Sequence, residues 1–89
     1  MDYSILSLFV KGVMRKMPDF ASRFRELRKE QKLNQEKMGE ILGVSRRTIC
    51  SYESRTYYPD FKGLLFIAEY FQVSLDYLVG WSEERDVRR

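Results

Sequence analysis

The 89-residue sequence contains no histidine and a single cysteine, Cys50. A zinc site of cysteine and histidine ligands, a Cys–His nucleophile and a disulfide within one chain are therefore excluded. The sequence also lacks a glycine-rich phosphate-binding loop and a cluster of acidic residues with a catalytic partner. These absences argue against an enzyme, and we expect no metal, no cofactor and no small-molecule ligand.

Long hydrophobic runs are also missing. No apolar run approaches the roughly 20 residues that a membrane-spanning helix requires. The first residues, which include Asp2, lack the basic start and the small-residue cleavage site of a signal peptide. We therefore expect a cytoplasmic protein with no membrane partner, and a lone cysteine is consistent with a reducing compartment.

The composition is that of one small folded domain. Hydrophobic residues make up 44% and charged residues 33% of the chain. A chain of this length has a modest core, near the size at which packing alone contributes only a few kcal/mol. The formal net charge is +3 and the pI is about 9.1. A basic excess suits an anionic partner, although an excess of this size is not diagnostic by itself.

Two short helix patterns joined by a tight turn occupy residues 34–53. Asn34 can cap the first helix, in which Met38, Ile41 and Leu42 repeat at the i, i+3, i+4 spacing of one buried stripe. Gly43 can end this helix, because glycine adopts positive φ without a Cβ penalty.

The second helix of the pair begins at Arg46, after a cap at Ser45. Its inward residues are Ile49 and Tyr52, three apart, so Arg46 and Arg47 lie on other faces. A helix this short is not stable alone, so the rest of the chain must hold it in place. The pattern therefore predicts an arginine-bearing helix displayed at the edge of a helical domain.

This stretch resembles the helix-turn-helix of the lambda and Cro repressor family, also called the XRE family, and the resemblance continues from about residue 20 to residue 80. The residues that carry it are Gln35, Gly39, Gly43, Val44, Ile49 and Tyr52. It implies an all-α, compact, five-helix lambda-repressor-like DNA-binding domain, which we place at residues 19–80. It also implies a transcriptional regulator, in particular a repressor, that binds specific double-stranded DNA.

The resemblance assigns base contacts to Arg46, Arg47 and Ser51. The planar fork of an arginine matches O6 and N7 of guanine, so guanines are expected in each half-site. A role for one of the two arginines at phosphate alone remains open. The residues expected at phosphates are Asn34, Gln35, Ser45, Arg55, Thr56 and Tyr57.

A structural pair is implied between Arg28 and Glu53, which would tie the first helix of the domain to the recognition helix. The alternative is a solvated Arg28 that contributes about 0–1 kcal/mol. Many relatives carry Asn-Gly where this chain has Ser54 and Arg55, so Arg55 lacks a glycine's free access to positive φ. The cationic side chains expected to face water are Arg23, Arg25, Lys29 and Lys32.

Three further helices complete the predicted domain. Asp19 can cap the first, with Phe20, Phe24 and Leu27 inward, and Ser74 can cap a short last helix that ends at Gly80. Between them, Asp60 can cap a helix whose expected inward residues are Phe61, Leu64, Leu65, Ile67, Ala68 and Phe71. Residues 81–89 are expected to form a charged, mobile tail.

Residues 1–18 form a predicted amphipathic extension that the resemblance does not cover. Its apolar stripe, at spacings of three and four, includes Ile5, Leu6, Phe9, Val13 and Met17. We expect this stripe to form the interface of a homodimer that binds an inverted-repeat operator. Packing on its own domain, a disordered extension, a membrane-surface helix and an alternative start at Met14 or Met17 remain open. An antitoxin-like or partner-regulating module that uses this helix is the alternative function.

Overall fold

The computed structural model describes residues 18–86, and this range forms five helices without a strand. The helices are α1 (Phe20–Glu30), α2 (Gln35–Leu42), α3 (Arg46–Glu53), α4 (Phe61–Phe71) and α5 (Leu75–Leu78). The predicted all-α, five-helix fold is confirmed. The expected dimer stripe of Ile5, Leu6, Phe9, Val13 and Met17 lies outside the described residues. Within residues 18–86, no helix has the length and apolar character to cross a membrane.

Each helix begins at a polar cap. In all five, the cap residue has extended backbone and its side chain accepts a hydrogen bond from the N–H group three residues later, which satisfies a donor that the helix itself leaves unpaired. The caps are Asp19, Asn34, Ser45, Asp60 and Ser74. The predicted helix starts are therefore confirmed.

The core lies where the inward faces of the five helices meet. Phe24 is at its centre, fully buried, with edge-on ring contacts to Tyr52 at 5.9 Å and Phe71 at 6.5 Å between centroids. The other large, fully buried side chains are Met38, Ile49, Ile67 and Leu78. Since α3 contributes Ile49 and Tyr52 to this core, the core holds that short helix in place.

Two glycines allow α2 and α3 to pack closely. A Cβ atom on Gly39 would lie 2.7 Å from the Val44 carbonyl oxygen, closer than real Cβ contacts. Gly43 ends α2 with φ at +71°, a conformation that costs glycine little. The turn between the helices is therefore tight.

The prediction that Phe61 and Leu65 face inward is wrong. Phe61 is 66% exposed and Leu65 is 44% exposed, whereas Ile67, Ala68 and Phe71 of the same helix are buried. Eight of the eleven residues of α4 are apolar, so the periodicity defines a stripe wider than the surface that α4 meets. The core covers one side of the helix and leaves the other in solvent.

The expectation that Arg23 faces water is also wrong. The residue is 2% exposed, and its guanidinium carbon lies 3.8 Å from the centroid of the Tyr77 ring. The guanidinium donates to the carbonyl oxygens of Tyr77 at 3.3 Å and Ser82 at 3.2 Å, and to the Glu83 carboxylate at 3.3 Å. A cation can be buried here because the aromatic face and three acceptors replace its water.

The expected mobile tail packs onto the domain over residues 81–86. The Ser74 N–H donates to the Arg85 carbonyl oxygen at 2.7 Å, and Arg85 Nε donates to the Tyr77 hydroxyl at 2.9 Å. Arg85 Nη1 also donates to Glu30 at 2.9 Å, on α1. The contact between Arg85 and Glu30 joins residues 55 apart in the sequence, so local composition alone gave the wrong expectation.

Shortening the buried Ile49 to alanine is expected to destabilise the domain by about 2–5 kcal/mol, because apolar burial is lost and a cavity forms. Urea unfolding followed by circular dichroism measures the change. Arg47→Ala, on the exposed side of the same helix, is the control and should change stability by less than about 0.5 kcal/mol. Equal stabilities of the two variants would contradict the observed orientation of α3.

Candidate nucleic-acid interface

The exposed edge of α3 carries Arg46 and Arg47 in the first helical turn. Ser45 Oγ caps the helix by accepting from the Thr48 N–H at 3.1 Å. Both arginines are exposed, and neither guanidinium makes a hydrogen bond or an ion pair with any of residues 18–86. Ser51, one turn further along, is half-buried. The first turn of α3 therefore presents two guanidinium groups that have no partner among residues 18–86 and can bind an external one.

The end of α3 is fixed by the ion pair between Arg28 and Glu53. Arg28 Nε donates to Glu53 Oε2 at 2.7 Å, and Nη2 donates to Oε1 at 3.0 Å. The remaining guanidinium nitrogen, Nη1, donates to the Leu33 carbonyl oxygen at 2.7 Å. The two side chains are only 9% and 6% exposed. This two-pronged contact therefore joins α1, the α1–α2 turn and α3.

Gln35, at the start of α2, is held at both ends of its amide by α3. Its Nε2 donates to Glu53 Oε1 at 3.3 Å, and its Oε1 accepts from Cys50 Sγ at 3.0 Å. One N–H of the amide is left for a further partner. No local pattern in the sequence indicates the Cys50 contact, because it joins two helices through side chains fifteen residues apart.

A polar depression separates the N-termini of α2 and α3. It measures about 370 Å³ and is lined by Arg28, Asn34, Gln35, Glu36 and Arg46. Unpaired N–H groups and the positive end of a helix dipole favour an anion at such a position. The structure thus brings three predicted site residues, Asn34, Gln35 and Arg46, to one place.

The other predicted phosphate contacts lie in the loop after α3. Arg55 has φ at +64° and donates from Nε to Asp19 Oδ2 at 2.5 Å and from Nη2 to Asp19 Oδ1 at 3.0 Å. Thr56 Oγ1 shares a hydrogen bond with Ser54 Oγ. Tyr57 is 61% exposed, and its ring stacks on Tyr52 at 6.1 Å between centroids. Arg55 therefore reaches the cap of α1 instead of extending into solvent.

The Arg55 contact changes the acidity of its partner. Hydrogen bonds from the guanidinium hold the pKa of the Asp19 carboxyl at about 2, against an ordinary value of 3.8, because they stabilise the ionised form. The same hydrogen bonds raise the pKa of Arg55. Both groups are partly exposed, so this pair joins the loop to α1 at the surface.

Comparison with known proteins gives one family and several relatives. A family model described as a helix-turn-helix domain matches residues 21–80. The chain is 39% identical over 67 residues to the uncharacterized HTH-type transcriptional regulator YqaE of Bacillus subtilis, covering 74% of this chain and 58% of that protein. It is 36% identical over 64 residues to the cryptic phage CTXphi transcriptional repressor RstR of Vibrio cholerae, covering 72% and 58%. The chain thus spans less than two thirds of the length of these relatives.

A solved structure has a similar fold. The P22 c2 repressor, determined in complex with a synthetic operator, superposes with a TM-score of 0.66 at 31% identity. The match covers 73% of this chain and 98% of that one.

Removing one partner of the buried ion pair is expected to destabilise the domain strongly. Arg28→Ala leaves Glu53 buried with the Gln35 amide as its remaining partner, and breaking a buried pair in this way costs about 3–5 kcal/mol. The control is Lys37→Ala, which removes the exposed Lys37–Glu40 pair and should cost less than about 1 kcal/mol. Urea unfolding compares the two variants, and a similar small loss in both would contradict the role given to Arg28.

The Asp19–Arg55 pair predicts a loss of stability in acid. Because the folded pKa of Asp19 is about 2 and the ordinary value is 3.8, the stabilisation is present above pH 3.8 and is lost as the pH falls towards 2. Asp19→Asn keeps a good helix cap but removes the charge. Its free energy of unfolding should therefore fall less steeply over this pH interval, measured by urea unfolding at each pH. Identical pH profiles would contradict the assignment.

Proposed function

We propose that this chain, which belongs to the helix-turn-helix domain family, is a sequence-specific double-stranded DNA-binding transcriptional regulator and acts as a repressor. The membership confirms the resemblance to the lambda and Cro repressor family. The observation that carries the proposal is the first turn of α3, where two exposed arginines lack partners within the described domain. The names of RstR and the P22 c2 repressor support a repressor, and they do not favour the antitoxin-like alternative.

In this proposal α3 enters the major groove. A groove about 12 Å wide admits one helix, and each base pair presents a distinct pattern of donors and acceptors there. Arg46 and Arg47 reach base edges first because they occupy the exposed first turn, and we expect them to select guanine. Ser51 reaches the groove through its half-buried hydroxyl and contributes less.

Phosphate contacts flank the groove in the proposed complex. The depression between α2 and α3 receives one phosphate, with the free N–H of Gln35 and the backbone N–H groups behind Asn34 and Ser45 as donors. In the loop, Thr56 and Tyr57 are exposed and face a second phosphate. Arg55 can bind a phosphate only if its hydrogen bonds to Asp19 break. We therefore expect Arg55 to contribute less to DNA affinity than the other phosphate contacts.

The proposed active form is a cytoplasmic homodimer on an inverted repeat. One domain offers few base contacts, and a two-fold dimer presents two recognition helices to half-sites about 34 Å apart. The role of residues 1–17 in this dimer remains a prediction.

Arg46→Ala and Arg47→Ala are each expected to lose about 1–3 kcal/mol of affinity for the preferred site, because an arginine with a two-pronged guanine contact is removed. The site is first selected from a random DNA pool, and affinities are then measured by fluorescence anisotropy.

The matched control is Arg25→Ala on α1, which removes the same charge from another exposed position. It should leave the preference for the selected site unchanged. If both α3 variants remain folded and bind that site as tightly as the unmodified chain, the assignment of α3 as the recognition helix is wrong.

A further inference from the structure

The solvent-facing side of α4, here called the outer face of α4, is unusually apolar. Four of its side chains are large and exposed: Phe61 at 66%, Leu65 at 44%, Phe66 at 51% and Tyr70 at 36%. Two oppositely charged residues, Lys62 and Glu69, share this face and are also exposed. Several large exposed apolar side chains on one face of a helix are typical of an interaction site.

The outer face of α4 is complementary to itself. Its centre lies between Leu65 and Phe66, with Lys62 three residues before Leu65 and Glu69 three residues after Phe66. At 100° per residue, Lys62 and Glu69 both lie near the middle of the face, while Leu65 and Phe66 lie on either side of it. A half-turn about the centre therefore exchanges the position of the cation with that of the anion.

We propose that α4 packs antiparallel against α4 of a second copy of this chain. A two-fold axis through the centre brings Lys62 of each copy opposite Glu69 of the other, so two identical ion pairs form. Leu65 and Phe66 meet their own counterparts beside the axis, and Phe61 and Tyr70 cover the flanks. The eleven residues of α4 span about 16 Å, so one helix contains both ion pairs and the apolar contact between them.

The placement of the two charges supports a partner outside the chain. Neither Lys62 nor Glu69 forms an ion pair with any of residues 18–86. A cation in the first turn and an anion in the last turn are both unfavourable with the helix dipole. In an antiparallel pair, Lys62 lies beside the negative C-terminal end of the other α4, and Glu69 lies beside its positive N-terminal end. Each charge also faces the opposite charge of the second copy.

This interface gives the proposed homodimer a defined contact and rests on that part of the proposed function. It does not rest on DNA binding, because the contact uses none of the residues of α3. It also differs from the contact expected of residues 1–17, so the two can be tested separately in the full chain.

The test is sedimentation equilibrium of the full chain without DNA. Lys62→Glu and Glu69→Lys should each raise the dimer dissociation constant by about tenfold or more, since each replaces two opposite-charge contacts with two like-charge contacts. Both substitutions improve the charges for the helix dipole, so weaker dimerisation cannot come from a weakened helix. Lys29→Glu, at an exposed position of α1, is the control and should not change dimerisation.

Two combinations of these substitutions test whether Lys62 pairs with Glu69 of the second copy. The double variant Lys62→Glu/Glu69→Lys should dimerise as tightly as the unmodified chain, because the pairs are restored with reversed sign. An equimolar mixture of the two single variants should form heterodimers more tightly than either variant forms homodimers. Both results support the antiparallel contact, and no other register pairs these two positions.

A monomeric full chain overturns the proposal, and so do single variants that dimerise normally or a double variant that is not rescued. Phe9→Asp identifies the alternative: if it abolishes the dimer while Lys62→Glu does not, the stripe in residues 1–17 forms the interface. The two proposals can also fail separately. If the double variant dimerises but the Arg46 and Arg47 substitutions do not change DNA affinity, the proposed DNA recognition is wrong and the α4 contact stands.

Discussion

The buried carboxylate of Glu53 is the interaction on which the position of α3 depends. Arg28 reaches it from α1, and Gln35 reaches it from α2. A buried charge is tolerated only when its hydrogen-bonding capacity is met, and within residues 18–86 no buried side-chain polar atom is left without a partner. An eight-residue helix is thereby fixed at its end by a carboxylate and along its inner side by Ile49 and Tyr52.

The same arrangement explains why the candidate interface can be rigid. The depression between α2 and α3 is lined by two cations, Arg28 and Arg46, and Arg28 is already paired with Glu53. The exposed arginines of α3 thus remain the cations available to a partner at that edge, while the residues behind them are committed to structure. Gln35 has both roles in the proposed complex, because its amide contacts Glu53 and Cys50 of α3 and keeps one N–H for a phosphate.

Much of the fold could be predicted from the sequence because its signals are local. Caps such as Asn34 and Ser45 act within three residues, and the inward stripe of α3 follows from helical periodicity. The failures concern contacts between distant segments. Arg23 is buried because Tyr77 and residues beyond it surround its guanidinium, and Phe61 is exposed because nothing in residues 18–86 packs over that side of α4.

In the candidate site, too, some features follow from local sequence and others depend on contacts between distant segments. The exposure of Arg46 and Arg47 follows from their positions relative to Ile49 and Tyr52, all on one short helix. The partner of Arg55 could not be anticipated, because Asp19 is 36 residues away and the loop takes positive φ at a non-glycine residue. Local patterns identify which side chains are displayed, and tertiary contacts decide which of them remain free.

The tight packing of Gly80 against the beginning of the domain has a consequence for how the domain is connected to other segments. A Cβ atom on Gly80 would lie 2.1 Å from the carbonyl oxygen of Pro18, and Gly80 has φ at +90°. The polypeptide therefore enters α1 beside the point at which it leaves α5. From Gly80 the chain packs across the domain until Arg85 meets Glu30, at the other end of α1, so a linker that follows residue 86 begins beside that end and not beside Pro18.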